Sequence, residues 1–195
     1  LSLLVVLVLA AAVVAAVIVI RRARQVRHDR QPPPPRTDPF GTDAGRPDPR
    51  RLKIGDIVGF DGRDYVVRGT IRLDQSGFTW EEHLLDDTTG KTWLSVEDDE
   101  GLELCLWHRV TGSGHVPGSP SLTDEGVEYF LAERGEATFR SEGTTGTASS
   151  GHLEYIDYAA GDRRLSFERF GATTWEVSRG RVVGERELTI YPVTD

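Results

Sequence analysis

The chain has 195 residues, with 23 basic and 31 acidic side chains, a formal net charge of −8 and one cysteine. One cysteine excludes an intrachain disulfide framework and a multi-cysteine zinc site. The charge is uneven: residues 1–50 hold eight basic and four acidic groups, and residues 51–195 hold fifteen and twenty-seven, a balance that sets the second part against nucleic acid and anionic lipid.

Within residues 1–20 only Ser2 is not apolar. A helix of that length rises about 30 Å, the thickness of a hydrocarbon core, so a single-pass transmembrane helix is expected from Leu1 to Ile20. Arg21, Arg22, Arg24, Arg27 and Arg30 follow it. Basic residues beside a span are retained on the cytoplasmic side, which places the following domain in the cytoplasm. A secretory signal peptide would carry its basic cluster before the apolar run, the reverse of this order. Residues 21–51 then form a basic, Pro-rich linker, stiff across Pro32, Pro33, Pro34 and Pro35.

From Leu52 onward, short runs of Val, Ile, Thr, Tyr, Phe and Trp alternate with Gly and Asp clusters about every ten residues, the pattern of an all-β domain. The clearest hairpin is Ile57–Phe60, Asp61-Gly62, then 63–67, because Asp-Gly suits a type I′ turn. Further strands are predicted at 70–73, 78–85, 92–97 and 102–107. Residues 52–110 make a first β half, 111–121 a Gly/Pro/Ser-rich connecting loop, and 122–195 a second β half.

The halves are alike. Asp61 to Val67 matches Glu125 to Leu131, Glu82-His83-Leu84 matches Glu154-Tyr155-Ile156, and Leu94-Ser95-Val96-Glu97 matches Leu165-Ser166-Phe167-Glu168. The expected fold is therefore a duplicated β-meander forming a two-sheet sandwich or a barrel-like domain. Thr123-Asp124-Glu125 before Val127 also reads as a helix cap, but the repeat argues for a strand there.

No catalytic, cofactor-binding or metal-binding constellation emerges from the pattern, and no cofactor is expected. Glu81 and Glu82 are adjacent on a strand and point to opposite faces. Cys105 and His108 are likewise set on opposite faces, and Cys105 lies between Leu104 and Leu106 as a buried, inert thiol would. Gly112-Ser113-Gly114-His115 lacks the Lys of a phosphate loop. The acidic runs Asp86-Asp87 and Glu97 to Glu100 fall at turns, without the alternating ligands of a calcium loop. Four tryptophans in so small a domain are mostly core material, and an exposed Trp80 or Trp93 would mark a binding face. The candidate binding face comprises Trp80, Glu82, Trp93, Tyr155 and Asp157.

Ile54-Gly55-Asp56, Tyr65-Val66-Val67, Trp80-Glu81-Glu82-His83-Leu84-Leu85 and Trp93-Leu94 resemble the pattern of domain-of-unknown-function family 4178. The second half is similar to it at Gly126 to Tyr129, Glu133 to Ala137 and Tyr155-Ile156-Asp157-Tyr158. The resemblance spans roughly residues 52–192, with His83 standing where Tyr is usual. It implies a β-rich domain and a membrane assembly with an enzyme or membrane-protein partner.

The functional expectation is a membrane-tethered binding or accessory module whose acidic domain binds a protein or a cationic small molecule. The alternative is a small hydrolase or transferase, which needs a pocket that joins Glu82, His83, His152 and Asp157.

Overall fold

A computed structural model describes residues 47–86, 91–99, 101–112 and 114–193. The expected membrane helix and most of the linker lie outside the described residues. Among the described residues no helix is long and apolar enough to cross a membrane, and the helical elements are two 3-10 turns, Pro49–Arg51 and Glu185–Glu187.

Eleven strands follow in order: β1 Ile57–Phe60, β2 Arg63–Gln75, β3 Phe78–Asp86, β4 Lys91–Asp98, β5 Leu102–Val110, β6 Ser121–Asp124, β7 Val127–Gly143, β8 Ser150–Ala160, β9 Arg163–Phe170, β10 Glu176–Val183 and β11 Thr189–Tyr191. Asp61-Gly62 joins β1 to β2 with φ of 49° and 73°, and Glu125-Gly126 joins β6 to β7 with 48° and 78°. Both are tight turns with two left-handed residues, whose twist matches that of the flanking strands.

The sheet runs β2-β3-β4-β5-β10-β9-β8-β7, and β7 pairs back onto β2 from Gly69↔Gly143 to Asp74↔Thr138, closing an eight-stranded antiparallel barrel. This decides between the sandwich and the barrel. β1 pairs with the first residues of β2, and β6 does the same on β7. β11 returns from the second half to pair with β1.

The duplication is visible in the ladders. The β2–β3 register slips between Val67 and Gly69, and the β7–β8 register slips between Leu131 and Glu133, the matching place in the other half. Counted from those two bulges, Glu82 corresponds to Tyr155, because Gly69 pairs with Leu84 and Glu133 with Asp157. The match of Glu82-His83-Leu84 to Glu154-Tyr155-Ile156 is thus one residue off. On a strand, one residue is the difference between the two faces of the wall.

Both faces of that wall are covered. Outside the first meander, Val67, Leu85, Leu94, Leu104 and Leu106 pack under Val58, Ile190, Leu52 and Leu188. Outside the second, Tyr158, Leu165 and Phe167 pack with Tyr129, Val127 and Leu122 of β6 and β7. Each such burial stabilises by about 1.5–3 kcal/mol, and Leu94→Ala is expected to cost about 2–5 kcal/mol. Inside, Ile71, Leu73, Ala137, Phe139 and Leu153 fill part of the barrel. The rest of the interior is a cavity.

Candidate functional site: an acidic, aromatic barrel interior

Strand alternation selects what the cavity sees. β3 sends in Trp80, Glu82 and Leu84, β4 Trp93, Ser95 and Glu97, and β5 Trp107 and Arg109. From the other half, β8 supplies Tyr155 and Asp157, β9 Ser166, Glu168 and Phe170, and β10 Glu176 and Ser178. With Glu133 of β7 and Thr145, Gly146 and Thr147 of the loop after it, these groups enclose about 300 Å³. That is the lower end of the range for small-molecule pockets.

Two glycines make the room. A Cβ on Gly180 would lie 2.5 Å from the Trp107 ring, so the indole lies across Gly180. A Cβ on Gly135 would lie 2.4 Å from Gln75 Nε2 and 2.9 Å from the Tyr155 hydroxyl. The aromatic groups are then fixed by polar bonds. The Trp107 Nε1 donates to Ser95 Oγ at 2.9 Å, and the Trp80 Nε1 to Glu82 Oε1 at 3.3 Å. Tyr155 Oη lies 2.7 Å from Gln75 Oε1 and 3.0 Å from Glu133 Oε1, its one proton facing two acceptors. Trp80 stacks on Phe78 with centroids 5.7 Å apart and meets the edge of Tyr155 at 5.8 Å.

Six carboxyl groups line this space, against one basic group, Arg109, which is bound to Glu176 at 2.6 Å. Glu82, Asp157 and Glu168 have no ion pair with a basic side chain among the described residues. Enclosure by protein pushes Glu82 up to about 7, although the bonds from Trp80 and Glu168 pull the other way. Burial likewise lifts Asp157 to about 7, opposed by the Ser166 hydroxyl and reinforced by Glu82, Glu133 and Glu97. Glu168 is driven well up by burial and by the neighbouring Glu82 and Asp157. The interaction between the Glu82 and Glu168 side chains lowers the first and raises the second, as two neighbouring carboxyl groups that compete for one proton do. The Oδ1 of Asp157 is buried and has no hydrogen-bond partner at all. An unpaired buried acceptor costs about 1–3 kcal/mol, more when charged.

All five residues of the candidate binding face, Trp80, Glu82, Trp93, Tyr155 and Asp157, line the cavity, as an interior wall instead of an outer face. The set required by a hydrolase is not brought together. His83 and His152 alternate with lining residues and point outward, His152 into solvent and His83 into a fully buried place where its Nδ1 lies 3.0 Å from Thr70 Oγ1. Cys105 is buried, and burial pushes its thiol up, away from nucleophilic character. His108 and His115 are apart, on Thr92 and Asp124 respectively. Among the described residues no three His, Cys, Asp or Glu side chains are placed so that they could hold a metal ion.

Sequence reasoning did not single out Glu168, Glu133, Glu97, Glu176 or Trp107 as lining groups. For Glu168 the signal was present: it shares a strand face with Ser166, in the block that repeats Ser95-Val96-Glu97. What was missing was which face is inside.

The chain is similar to an uncharacterised protein of Mycobacterium tuberculosis and one of Mycobacterium bovis, each 42% identical over 167 residues and 80% of either chain. No solved structure matches it. The family described as Domain of unknown function (DUF4178) matches residues 53–185, which hold the whole barrel and every cavity-lining residue named above. On that match and those relatives, the chain belongs to the DUF4178 family.

Proposed function

We propose that this chain is a membrane-tethered binding module whose barrel receives a small organic cation. The observation that carries the reading is the enclosure of Glu82, Asp157 and Glu168, none of them ion-paired with a basic side chain among the described residues, in a cavity also lined by Trp80, Trp93 and Trp107. A cation supplies the missing charge to the carboxylates and is attracted to aromatic faces. An anion or a neutral apolar ligand would leave the carboxyl groups uncompensated.

Titration of the purified full-length chain with butylammonium and butyltrimethylammonium at pH 8, followed by tryptophan fluorescence and calorimetry, tests the reading. Saturable binding of either ion, lost in Glu82→Gln/Asp157→Asn, is expected. Absence of saturable binding of both ions overturns it.

Tethering rests on the apolar run from Leu1 to Ile20 and the cytoplasmic side on the arginines after it. Alkaline extraction of membranes is expected to leave the full chain in the pellet and to release a form lacking residues 1–20. Release of the full chain would remove the tether from the proposal. An enzyme or membrane-protein partner belongs to the same reading, and crosslinking in native membranes followed by tagged purification tests it.

A small hydrolase or transferase is the second reading, favoured by two carboxyl groups, Glu82 and Asp157, that titrate near neutrality in one cavity, as an acid–base pair does. Turnover of a bound amine derivative, abolished by Glu82→Gln, would move the assignment to that reading.

A further inference from the structure

We infer that the cation this cavity takes is a hydrogen-bond-donating amine, a protonated primary or secondary ammonium on a short apolar body, and that quaternary ammonium ions are excluded. The inference rests on the cation-receptor reading and narrows it to a chemical class.

Two kinds of cation site use aromatic walls. One surrounds a quaternary ammonium with ring faces and needs no acceptor, because the ion has no N–H to donate. The other combines rings with acceptors that each demand a donor. This cavity is of the second kind. Asp157 takes a bond from the Ser166 hydroxyl, but its Oδ1 has no hydrogen-bond partner. The indole N–H of Trp107 is already spent on Ser95, that of Trp80 on Glu82, and the Tyr155 hydroxyl on Gln75 and Glu133. Arg109 is held by Glu176. An N–H of the ligand can donate to the Asp157 carboxylate, and a trimethylammonium head cannot. It would instead press methyl groups on a buried carboxylate oxygen.

The charged and titratable groups facing the three carboxyls are Glu97 from β4, Cys105 and Arg109 from β5, Glu133 from β7, Tyr155 from β8 and Glu176 from β10. Arg109 is the single base among them. The ammonium enters already carrying its protons, so protons that burial keeps on the Glu82, Asp157 and Glu168 carboxyls leave to solvent as the carboxylates take up the cation. Binding therefore releases protons and strengthens as pH rises through neutrality.

The two ions used above discriminate. Butylammonium and butyltrimethylammonium share body and charge and differ in N–H donors. At pH 8 the full-length chain is expected to bind butylammonium at least about tenfold more tightly, the worth of a charged hydrogen bond. Asp157→Asn is expected to weaken butylammonium by a similar factor while leaving the melting temperature unchanged or higher. Calorimetry in buffers of different ionisation enthalpy is expected to show proton release on binding. Equal or tighter binding of the trimethyl ion overturns this inference and leaves the cation receptor standing. So does an Asp157→Asn chain that binds butylammonium as well as the native chain. No binding of either ion overturns both.

Discussion

Glu82 of β3 and Glu168 of β9 come from opposite halves of the duplicated chain and line the same cavity inside the barrel, where each shifts the other's carboxyl. Burial holds both carboxyl groups above the ordinary carboxylate range, and their closeness adds to it for Glu168.

The first prediction concerns pH. In the folded chain Glu82 and Asp157 hold their protons up to about 7, whereas in the unfolded chain they lose them near 4.5 and 3.8. Between those limits the folded state binds more protons, so this contribution is fully present below about 4 and is lost as pH rises through 7. Glu82→Gln is expected to stabilise the ligand-free chain at pH 8 by on the order of 2 kcal/mol and to flatten this part of the profile. Urea denaturation of both forms at pH 5 and pH 8 measures it, and an unchanged difference between the two pH values would contradict the argument.

His83 is predicted to act with the opposite sign. Burial, then the Arg72 charge, lowers its folded value to about 4 from 6.5. The unfolded chain takes up a proton below 6.5 that the folded chain refuses until about 4, so stability is full above 6.5 and falls as pH drops through that window. His83→Gln should remove the acid-side loss and retain the alkaline-side one. Melting temperatures at pH 4.5 and 7 for the two forms provide the check.

Gly180 is predicted to tolerate no side chain. Its missing Cβ would meet Trp107 at 2.5 Å and the Cys105 sulfur at 2.7 Å, and an indole locked by its bond to Ser95 cannot swing away. Gly180→Ala should cost about 1–3 kcal/mol and shift the tryptophan emission. If it folds with native stability, Trp107 is not fixed as described.

Asp124 is predicted to fasten β6 to the barrel. It is buried at the end of β6, takes bonds from the Arg179 side chain of β10, one of them 2.9 Å, and lies 2.7 Å from His115 Nε2. The Arg179 bond, against the opposing effect of burial and with help from His115, holds its carboxyl down at about 2. The stability it lends is present above 3.8 and lost as pH falls toward 2. Asp124→Ala should cost about 2 kcal/mol and raise hydrogen exchange in residues 121–131 selectively. Uniform exchange across the chain would refute a local clasp.

By itself the sequence determined that the domain is all-β, that it is duplicated and that a hairpin turns at Asp61-Gly62, because turn chemistry and β-propensity are local properties of a few residues. It also offered Trp80, Glu82, Trp93, Tyr155 and Asp157 as a candidate binding face, on the ground that exposed aromatic residues mark one.

Only the tertiary structure decided that the sheet closes through β2 and β7, and that closure turns those five residues inward. The strands of this wall are buried on both faces, outside by β1, β6 and β11 and inside by the barrel, so Leu84, Leu85, Leu94 and Leu104 are equally apolar whichever way they point. Alternation then says which residues share a face but not which face is the interior. The same ambiguity shifted the Glu82–Tyr155 correspondence by one residue, and it hid Glu168 and Trp107, whose roles come from partners far away in the chain. Pairing across a barrel is a long-range event, and no local pattern in β3 or β9 encodes that Glu82 and Glu168 will line one cavity.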